Sequence, residues 1–234
     1  MADIRRTGVI DNFERAVYEV TVLPPWFVMD GHFSPEIGGG PGAGGMSPVS
    51  IFSVTSSAYL DAPVFYGPRV EVWAIQGEGP DLTEDMHMGL LEIPFRTTLR
   101  KGYAIGSSVF IGGSGTFLDR WDDGVVTTLA SVGGAQPAGS IWLLRIGAGA
   151  AGDKVQCWFS YDNGANWTML IEVTDTTYRA FFYAWLRMGS DDGAGPSWGP
   201  IGGGQLNRSQ EYRWFPGLYD YPLGRTKETT PAGG

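Results

Sequence analysis

The feature that most constrains how this chain can fold is a series of short β-type runs, each bounded by Gly, Pro, Asp or Ser. Successive runs are spaced roughly 10–15 residues apart with turn residues between them, a pattern typical of a sandwich or barrel. Helical periodicity is almost absent. We therefore predict an all-β fold, with strands at residues 70–75, 103–111, 125–130, 141–146, 155–160, 167–173 and 181–188.

Glycine is the most unusual part of the composition, with 36 residues among 234 and no collagen-like period of three. Globular chains contain roughly 7% glycine, so the excess predicts many tight turns between short strands. Two segments are rich in Gly and Pro, residues 36–48 and 190–204, and we predict that both are loops. Apolar residues make up 43% of the chain, which is enough to build a large core.

The charge of the chain argues against nucleic-acid and anionic-membrane partners. The net charge is −9 at pH 7 and the pI is about 4.6, whereas a nucleic-acid binder needs a basic stripe to meet phosphate groups. No run approaches the roughly 18 apolar residues that span a bilayer, so we expect no membrane insertion. The first residues lack the apolar region of a signal peptide, and we expect the chain to fold in a cytoplasm.

The chain has one cysteine, Cys157, so it cannot form an internal disulfide. Cys157 lies in a strand-like run, where a buried and unreactive thiol is the usual state. A catalytic cysteine needs a histidine partner. The only histidines are His32 and His87, and nothing in the sequence brings either of them near.

Carboxylates in strands are the remaining candidates for catalysis. A retaining glycosidase needs two carboxyl groups about 5–5.5 Å apart, which residues two positions apart on one strand provide. Glu71, Glu92 and Glu172 each stand alone in their strands. We therefore predict that the protein is not an enzyme and keep glycoside hydrolysis as the least favoured alternative.

Calcium is the one bound metal that the sequence leaves possible, and no other cofactor is predicted. Zinc-ligand spacing is absent, but calcium takes carboxylate and carbonyl oxygens, and turn-like segments carry several aspartates. The alternative is that these aspartates only shape their turns. The candidate ligands are Asp122, Asp123, Asp175, Asp191 and Asp192.

The most specific local motif is SYDNGANW at residues 160–167, which fits Ser-x-Asp-x-Gly-x-x-Trp and resembles an Asp-box. The Asp162 carboxylate can accept hydrogen bonds from amides of its own loop, and Gly164 can take the positive φ of a hairpin turn. We predict a strand, a turn and a strand across residues 154–173. Asp-boxes recur in sialidase propellers, but this chain has a single copy, so we assign the motif a structural role.

Seven segments of characteristic composition follow one another along the chain. They are IDNFERA at residues 10–16, GYAI from Gly102, FLDRW from Phe117, TTLAS from Thr127, WLLRI from Trp142, the WFSYDNGANW hairpin and DTTY at residues 175–178. Their order resembles that of concanavalin A-like (LamG-like) jelly-roll domains in bacteriophage virion proteins. The resemblance covers residues 8–204 approximately.

This resemblance implies an antiparallel jelly-roll sandwich, which we assign to residues 1–204, followed by an aromatic arm and polar tail at residues 205–234. It also implies a structural virion protein, namely a minor tail, adsorption or capsid decoration component assembled in the host cytoplasm. Its expected partners are other virion proteins, further copies of itself and cell-surface glycans. The alternative function is a stand-alone carbohydrate-binding, lectin-like module.

Aromatic residues outside the predicted strands are the candidate binding residues. Trp198 and Asp191 share the predicted loop 190–204, and a flat ring beside a polar side chain suits a saccharide, so we predict that both contact carbohydrate. The arm is rich in aromatic residues, which are enriched at protein interfaces. Either the arm packs on its own sandwich or it contacts a neighbouring subunit through Tyr212, Trp214, Phe215, Tyr219 and Tyr221.

Overall fold

The structure, a computed structural model, describes residues 9–11, 26–30, 33–36, 45–48, 54–60, 65–66, 68–76, 85–92, 100–110, 113–123, 125–179, 181–190, 198–206 and 212–213. Within these ranges the chain forms seventeen β-strands and no helix, which confirms the predicted all-β class. In the same ranges, no helix has the length and apolar character needed to cross a membrane. In chain order the strands are β1 (Val9–Asp11), β2 (Trp26–Asp30), β3 (Phe33–Glu36), β4 (Gly45–Pro48), β5 (Val54–Leu60), β6 (Phe65–Tyr66), β7 (Val70–Gln76), β8 (Asp85–Glu92), β9 (Lys101–Phe110), β10 (Gly113–Asp122), β11 (Val125–Gly133), β12 (Ile141–Ala148), β13 (Lys154–Ser160), β14 (Thr168–Thr174), β15 (Phe181–Ser190), β16 (Trp198–Leu206) and β17 (Tyr212–Arg213).

The strands form two antiparallel sheets. Among the described residues, one sheet has nine strands in the order β14-β13-β12-β7-β16-β4-β3, with β1 and β17 also paired to β16. The other has eight strands in the order β11-β10-β9-β8-β15-β5-β2, with β6 also paired to β15. Three consecutive strands, β9 to β11, form one end of the eight-stranded sheet, and β12 to β14 form one end of the nine-stranded sheet. The consecutive strands β7 and β8 lie in opposite sheets. The expected antiparallel sandwich is therefore present.

The core lies between the two sheets and takes alternate residues from each strand, because successive side chains of a strand point to opposite faces. Val72 and Leu144 enter it from the nine-stranded sheet, and Leu90 and Ile105 enter it from the eight-stranded sheet. Cys157 lies in the same core as a free, buried thiol, as its strand position predicts. Burial raises the pKa of this thiol well above its usual value, so it stays protonated and inert.

The strand predictions agree with the structure in all seven cases. The predicted run at 155–160 is β13, and the predicted run at 103–111 is β9, which begins two residues earlier and ends one residue earlier. The predicted hairpin across 154–173 is β13 and β14, paired from Lys154↔Thr174 to Phe159↔Thr168. The pattern of apolar side chains was enough to predict these strands because their inward-facing residues pack in the core between the two sheets.

The predicted loop at residues 36–48 is wrong at both of its ends. Glu36 closes β3, and Gly45–Pro48 form β4, which pairs antiparallel with β3 from Phe33↔Pro48 to Glu36↔Gly45. Neighbouring strands decide strand formation more than intrinsic preference does. Pro35 is tolerated because β3, among the described strands, lies at the edge of its sheet.

The predicted loop at residues 190–204 is also corrected, because Trp198–Leu206 form β16 between β7 and β4. The pairing with β7 is irregular between Trp198 and Ile201, where Pro200 lacks the amide that a regular ladder needs. Gly202 then lies opposite Trp73, and a large aromatic neighbour compensates for a glycine in a strand. The proposed domain boundary after Gly204 falls inside this strand, and β17 returns to pair with it.

Candidate functional site

Alternate residues of β8, β9, β10 and β15 point away from the core and form what we call the outer face of the eight-stranded sheet. In one row of this face, Trp185 lies opposite Gly89, Gly89 opposite Ala104, and Ala104 opposite Asp119. Small residues of β8 and β9 therefore occupy the middle, with larger side chains on either side. The two neighbouring rows are Arg187, His87, Gly106 and Phe117, and Tyr183, Leu91, Gly102 and Trp121.

Two glycines in the middle of the outer face are required by the rings that lie over them. A Cβ on Gly89 would collide with the Tyr103 carbonyl oxygen and would lie 3.0 Å from Cε3 of Trp185. A Cβ on Gly106 would overlap the Phe117 ring. The aromatic side chains of β10 and β15 can thus lie flat across the middle strands only because those strands carry no side chain there.

The rings on the outer face form one continuous cluster. The Trp121 and Trp185 centroids are 5.1 Å apart with an interplanar angle of 70°, an edge-to-face arrangement. The His87 ring is 5.7 Å from Trp121 and 6.0 Å from Trp185, and it also contacts Phe117 at 5.4 Å. His87, 4% exposed, therefore lies inside an aromatic layer on the side of the sheet that faces away from the core.

A chain of polar contacts runs through the same cluster. Thr128 Oγ1 donates to Asp119 Oδ1 at 2.7 Å, and Asp119 Oδ2 lies 3.8 Å from His87 Nε2. On the other side of the ring, Arg187 Nη1 lies 3.0 Å from His87 Nδ1. Since the guanidinium can only donate, we assign the imidazole proton to Nε2, where it faces Asp119. This series of polar contacts fixes the orientation of the Arg187 side chain.

Two guanidinium groups cover the ring of Trp121. The Cζ atoms of Arg100 and Arg187 each lie 5.7 Å from its centroid, within the range of a cation–π contact. Both arginines are partly exposed, whereas Trp121 beneath them is 7% exposed. Burial, and secondarily the positive charge of Arg187, lower the pKa of Arg100. The Trp121 ring can therefore be reached only past these two guanidinium groups.

Buried indole N–H groups without a hydrogen-bond acceptor occur on the outer sides of both sheets. Among the described residues, three buried indole N–H groups have no acceptor, those of Trp121, Trp185 and Trp167, and the first two lie on the outer face. By contrast, the indoles of Trp142 and Trp158 donate to glutamine side chains. A buried donor without a partner costs about 1–3 kcal/mol.

Trp198, predicted to contact a saccharide from a loop, lies instead at the start of β16 and is fully buried. Its ring packs edge-to-face on Trp142, with centroids 4.9 Å apart, and its Nε1–H donates to the backbone oxygen of Arg187 at 3.3 Å. The apolar residues around it outweigh the turn-forming residues before it. In this position the ring has no exposed face to offer a sugar.

Of the other predicted site residues, the structure describes only Tyr212. Asp191, Trp214, Phe215, Tyr219 and Tyr221 lie outside the described residues. Tyr212 belongs to β17, whose backbone pairs with β16 through Leu206↔Tyr212. The start of the arm therefore adds a strand to its own sandwich, while the predicted interface role of the five residues stays a prediction.

The Asp-box-like turn has the predicted structural role. Asp162 Oδ1 accepts from the Asn166 amide and from Ser160 Oγ, both at 2.8 Å, and Asp162 Oδ2 accepts from Asn166 Nδ2 at 2.6 Å. These bonds, led by that of the Asn166 side chain, lower the pKa of Asp162. Gly164 has φ 86°, as the turn requires. Trp167 packs on the outer surface of the nine-stranded sheet beside Trp73, not on the turn alone.

A pocket of about 360 Å³ lies between this hairpin and residues 137–140. Its aromatic lining residue, Tyr161, donates its hydroxyl to Gln136 Oε1 at 2.7 Å. The Asp162 carboxylate in the same lining is held by its own turn. These two polar side chains of the pocket lining thus already form hydrogen bonds within the fold.

The aspartates proposed as calcium ligands do not form a cation site in the described ranges, which contain no group of three potential ligands. Asp175 Oδ1 accepts from Tyr103 Oη at 2.5 Å, and Asp175 Oδ2 pairs with Arg120 Nη1 at 2.7 Å. Asp122 accepts from the hydroxyl of Tyr178 at 2.8 Å. Arginine and tyrosine protons thus occupy these carboxylates. Asp123 is exposed in a turn, and Asp191 and Asp192 lie outside the described residues.

Sequence reasoning did not single out any residue of the outer face. The contacts that build it join distant parts of the chain, such as His87 and Arg187, which are 100 positions apart. One signal was present in β9, where Gly102, Ala104 and Gly106 alternate with large residues. Such alternation indicates a strand whose second face is kept free of side chains.

Comparison with solved structures identifies the fold. The chain superposes on the VIP36 exoplasmic/lumenal domain in its Ca²⁺/Man-bound form with a TM-score of 0.57 and 12% identity, covering 79% of this chain and 84% of that one. For the legume lectin-like domain from Entamoeba histolytica the TM-score is 0.55 and the identity 11%, with coverage of 82% and 100%. For the potassium-bound form of the Emp46p carbohydrate recognition domain the TM-score is 0.57 and the identity 10%, covering 83% of this chain and 95% of that one.

These likenesses, all far below 25% identity, show the fold alone. The chain is a legume-lectin-like jelly-roll sandwich, and the concanavalin A-like fold implied by the sequence is confirmed. No protein-family model matches the sequence, and no curated protein sequence matches it. The chain also superposes on the Ca²⁺-bound and the metal-free forms of the VIP36 domain, with TM-scores of 0.56 and 0.52.

Proposed function

We propose that this chain is a glycan-binding, lectin-like domain and that the outer face of the eight-stranded sheet is its binding surface. The observation that carries the proposal is the pair of buried indole N–H groups, on Trp121 and Trp185, that have no acceptor. They lie in one cluster with Asp119, His87 and Arg187, above a middle row of small residues. The glycan-bound structure of the VIP36 domain supports a sugar ligand for this fold.

The arrangement suits a saccharide for physical reasons. A pyranose ring presents C–H groups on one side and hydroxyl groups around its edge, so it needs an aromatic surface and fixed polar groups together. On the outer face, Trp121 and Trp185 are 7% and 0% exposed. A saccharide therefore reaches the Trp121 ring and the two indole N–H groups only when the side chains that cover them, among them Arg100 and Arg187, move aside. The polar chain from Thr128 to Arg187 holds the charged groups in place. Binding would satisfy donors that the fold leaves unused.

A glycan array with the purified full chain tests this function. We expect binding to a restricted set of glycans, and we expect Trp121→Phe, which removes the indole N–H, to weaken it about tenfold, since one hydrogen bond contributes about 1 kcal/mol or more. The matched control is Trp158→Phe on the other sheet. Failure to bind any glycan on a broad array would overturn the proposal.

The virion role predicted from the sequence is the second candidate, and it stays a prediction. None of the neighbouring structures described above is a virion protein, and the aromatic arm on which assembly would depend lies mostly outside the described residues. The predicted location in a virion and the absence of enzyme activity stay predictions too. A glycan-binding domain is compatible with host-surface adsorption, so the array also bears on that role.

A further inference from the structure

One narrow side of the sandwich carries the exposed apolar surface of the molecule. On this side β11 ends the eight-stranded sheet and β14 ends the nine-stranded sheet, and the two strands lie beside each other. Among the described residues, four large hydrophobic side chains are between 43% and 63% exposed, and all four lie on β11, on β14 or in the turn before β14. They are Val125, Val126, Tyr161 and Met169.

The strand β11 lacks the residues that usually keep an edge strand from pairing with another chain. Four strands end the two sheets among the described residues, namely β2, β3, β11 and β14. β2 carries Asp30, β3 carries Pro35 and Glu36, and β14 carries Glu172, whereas β11 has no charged residue and no proline. Charges and prolines on an edge strand prevent pairing with a further strand. β11 is also the longest of the four, with nine residues.

The first half of β11 is the part best suited to pairing. The register of β11 with β10 is irregular at Leu129, which has no partner there, and a bulge of this kind interrupts a ladder locally. The segment before it, Val125–Thr128, has the sequence VVTT, and all four residues are exposed. Because valine and threonine are β-branched, the segment has a strong preference for a strand.

A second copy of the same strand fits this segment. In antiparallel pairing about a two-fold axis, a strand faces itself. An axis through Val126 places this residue opposite its own copy and Val125 opposite Thr127 of the second copy. Cross-strand pairs of β-branched residues stabilise a sheet, whereas like charges in such pairs destabilise it. The chain carries a net charge of −9, but none of its charged residues lies in this segment.

The dimensions of this side set the expected strength of such a contact. Nine residues of antiparallel strand span about 30 Å, and two packed sheets about 10 Å apart with their outer side chains are roughly 20 Å wide. The side thus offers roughly 600 Å² on each copy, or about 1,200 Å² in total, which is the lower end of stable interfaces. We therefore expect a reversible dimer with a dissociation constant in the micromolar range.

We propose that β11 is a homodimer interface, at which two copies of the chain pair antiparallel through Val125–Thr128 and join their eight-stranded sheets into one continuous sheet. A two-fold axis perpendicular to this sheet keeps the outer faces of both copies on the same side. The dimer therefore presents two parallel copies of any site on that face. The interface itself does not depend on glycan binding.

The test is sedimentation equilibrium of the full chain from about 1 to 200 μM, a range that brackets a micromolar dissociation constant. We expect the mean mass to rise with concentration from that of the 25.3 kDa monomer towards that of a dimer. Hydrogen exchange at the two ends of this range provides a second readout. The backbone amides of β11 should exchange more slowly at the higher concentration.

Substitutions at Val126 separate pairing of β11 from other modes of association. Val126→Lys places like charges opposite each other at the axis and is expected to raise the dissociation constant at least about tenfold. Val126→Thr, uncharged and β-branched, should leave it almost unchanged. Val125→Lys, at the most exposed of the four hydrophobic side chains, serves if Val126→Lys does not fold. Ala151→Lys adds the same charge in the exposed turn between β12 and β13 and is the control for net charge.

Three outcomes would overturn the interface. The first is a chain that stays monomeric over the whole concentration range. The second is a Val126→Lys variant that dimerises as well as the parent, which would place the contact elsewhere. The third is an equal loss of dimer in Ala151→Lys, which would indicate a general effect of charge. Glycan binding by a strictly monomeric chain would contradict this inference and leave the proposed function intact, and a dimer without glycan binding would do the reverse.

Discussion

Trp121 on β10 and Trp185 on β15 meet edge to face, with centroids 5.1 Å apart, although β9 and β8 lie between their strands. Adjacent strands are 4.7–4.9 Å apart, so these two backbones are separated by about 14 Å. The rings can meet only by lying flat over the middle strands, where Gly89 and Ala104 leave room. The candidate site is therefore a product of the whole sheet.

The first prediction concerns the space above Gly89 that the Trp185 ring occupies. Gly89→Ala places a methyl group against the Tyr103 carbonyl and the Trp185 ring, and overpacking of this kind costs about 1–3 kcal/mol. Urea unfolding measures the loss. Gly133→Ala is the control, because nothing lies within 4 Å of the added carbon, and we expect a change below about 0.5 kcal/mol. Equal stability of the two variants would mean that the rings do not lie over Gly89.

The second prediction tests the position of Trp198. Because its ring is fully buried against Trp142, Trp198→Ala is expected to lower the free energy of unfolding by about 3–5 kcal/mol. Thermal or urea unfolding provides the measurement. A variant with undiminished stability that no longer binds glycan would show that Trp198 is a surface ligand residue, as the sequence had predicted, and not a core residue.

The third prediction concerns a buried ion pair on the far side of the nine-stranded sheet. Arg145 Nε donates to Glu71 Oε2 at 3.0 Å, and both side chains are almost fully buried. Glu71→Ala leaves the arginine charge buried and is expected to cost about 3–5 kcal/mol. Glu172→Ala, which removes an exposed acceptor of Gln156, is the control and should cost less than about 1 kcal/mol. A similar small effect for both would refute the burial of this pair.

The sequence predicted the elements that depend on local pattern. The hairpin of β13 and β14 could be predicted from SYDNGANW because the side-chain hydrogen bonds of Ser160 and Asp162 stay within the turn itself. The strand β16 could not be predicted, because its four glycines and Pro200 are typical of a turn, and the strand forms only beside Trp73 and the neighbouring strands. The outer face was missed for the same reason, since residues such as His87 and Arg187 acquire a shared environment only through strand pairing.

The fourth prediction is a pH dependence that comes from Asp175. Burial alone would raise its pKa, but hydrogen bonds from Tyr103 and Thr177, together with Arg120, lower it below the usual value. A carboxylate with a lowered folded pKa stabilises the fold above its unfolded pKa of about 3.9, and this stabilisation is lost as pH falls through the folded value.

We therefore expect Asp175→Asn to be less stable than the parent by about 1–3 kcal/mol near neutral pH, since it loses charge-assisted bonds. The difference should shrink below about pH 4, where the parent also loses its carboxylate. Urea midpoints across this pH range provide the comparison, with the exposed turn residue changed in Asp123→Asn as the control. A difference that does not change with pH would contradict the assigned ion pair.

The most direct test of the glycan-binding claim is the NMR signal of the tryptophan side-chain N–H groups during titration with a glycan selected on the array. The account predicts that the Nε1–H signals of Trp121 and Trp185 move on binding, because these donors gain an oxygen acceptor. The signals of Trp142 and Trp158, already bonded to glutamines, should stay in place. Unchanged Trp121 and Trp185 signals at saturation would contradict the account.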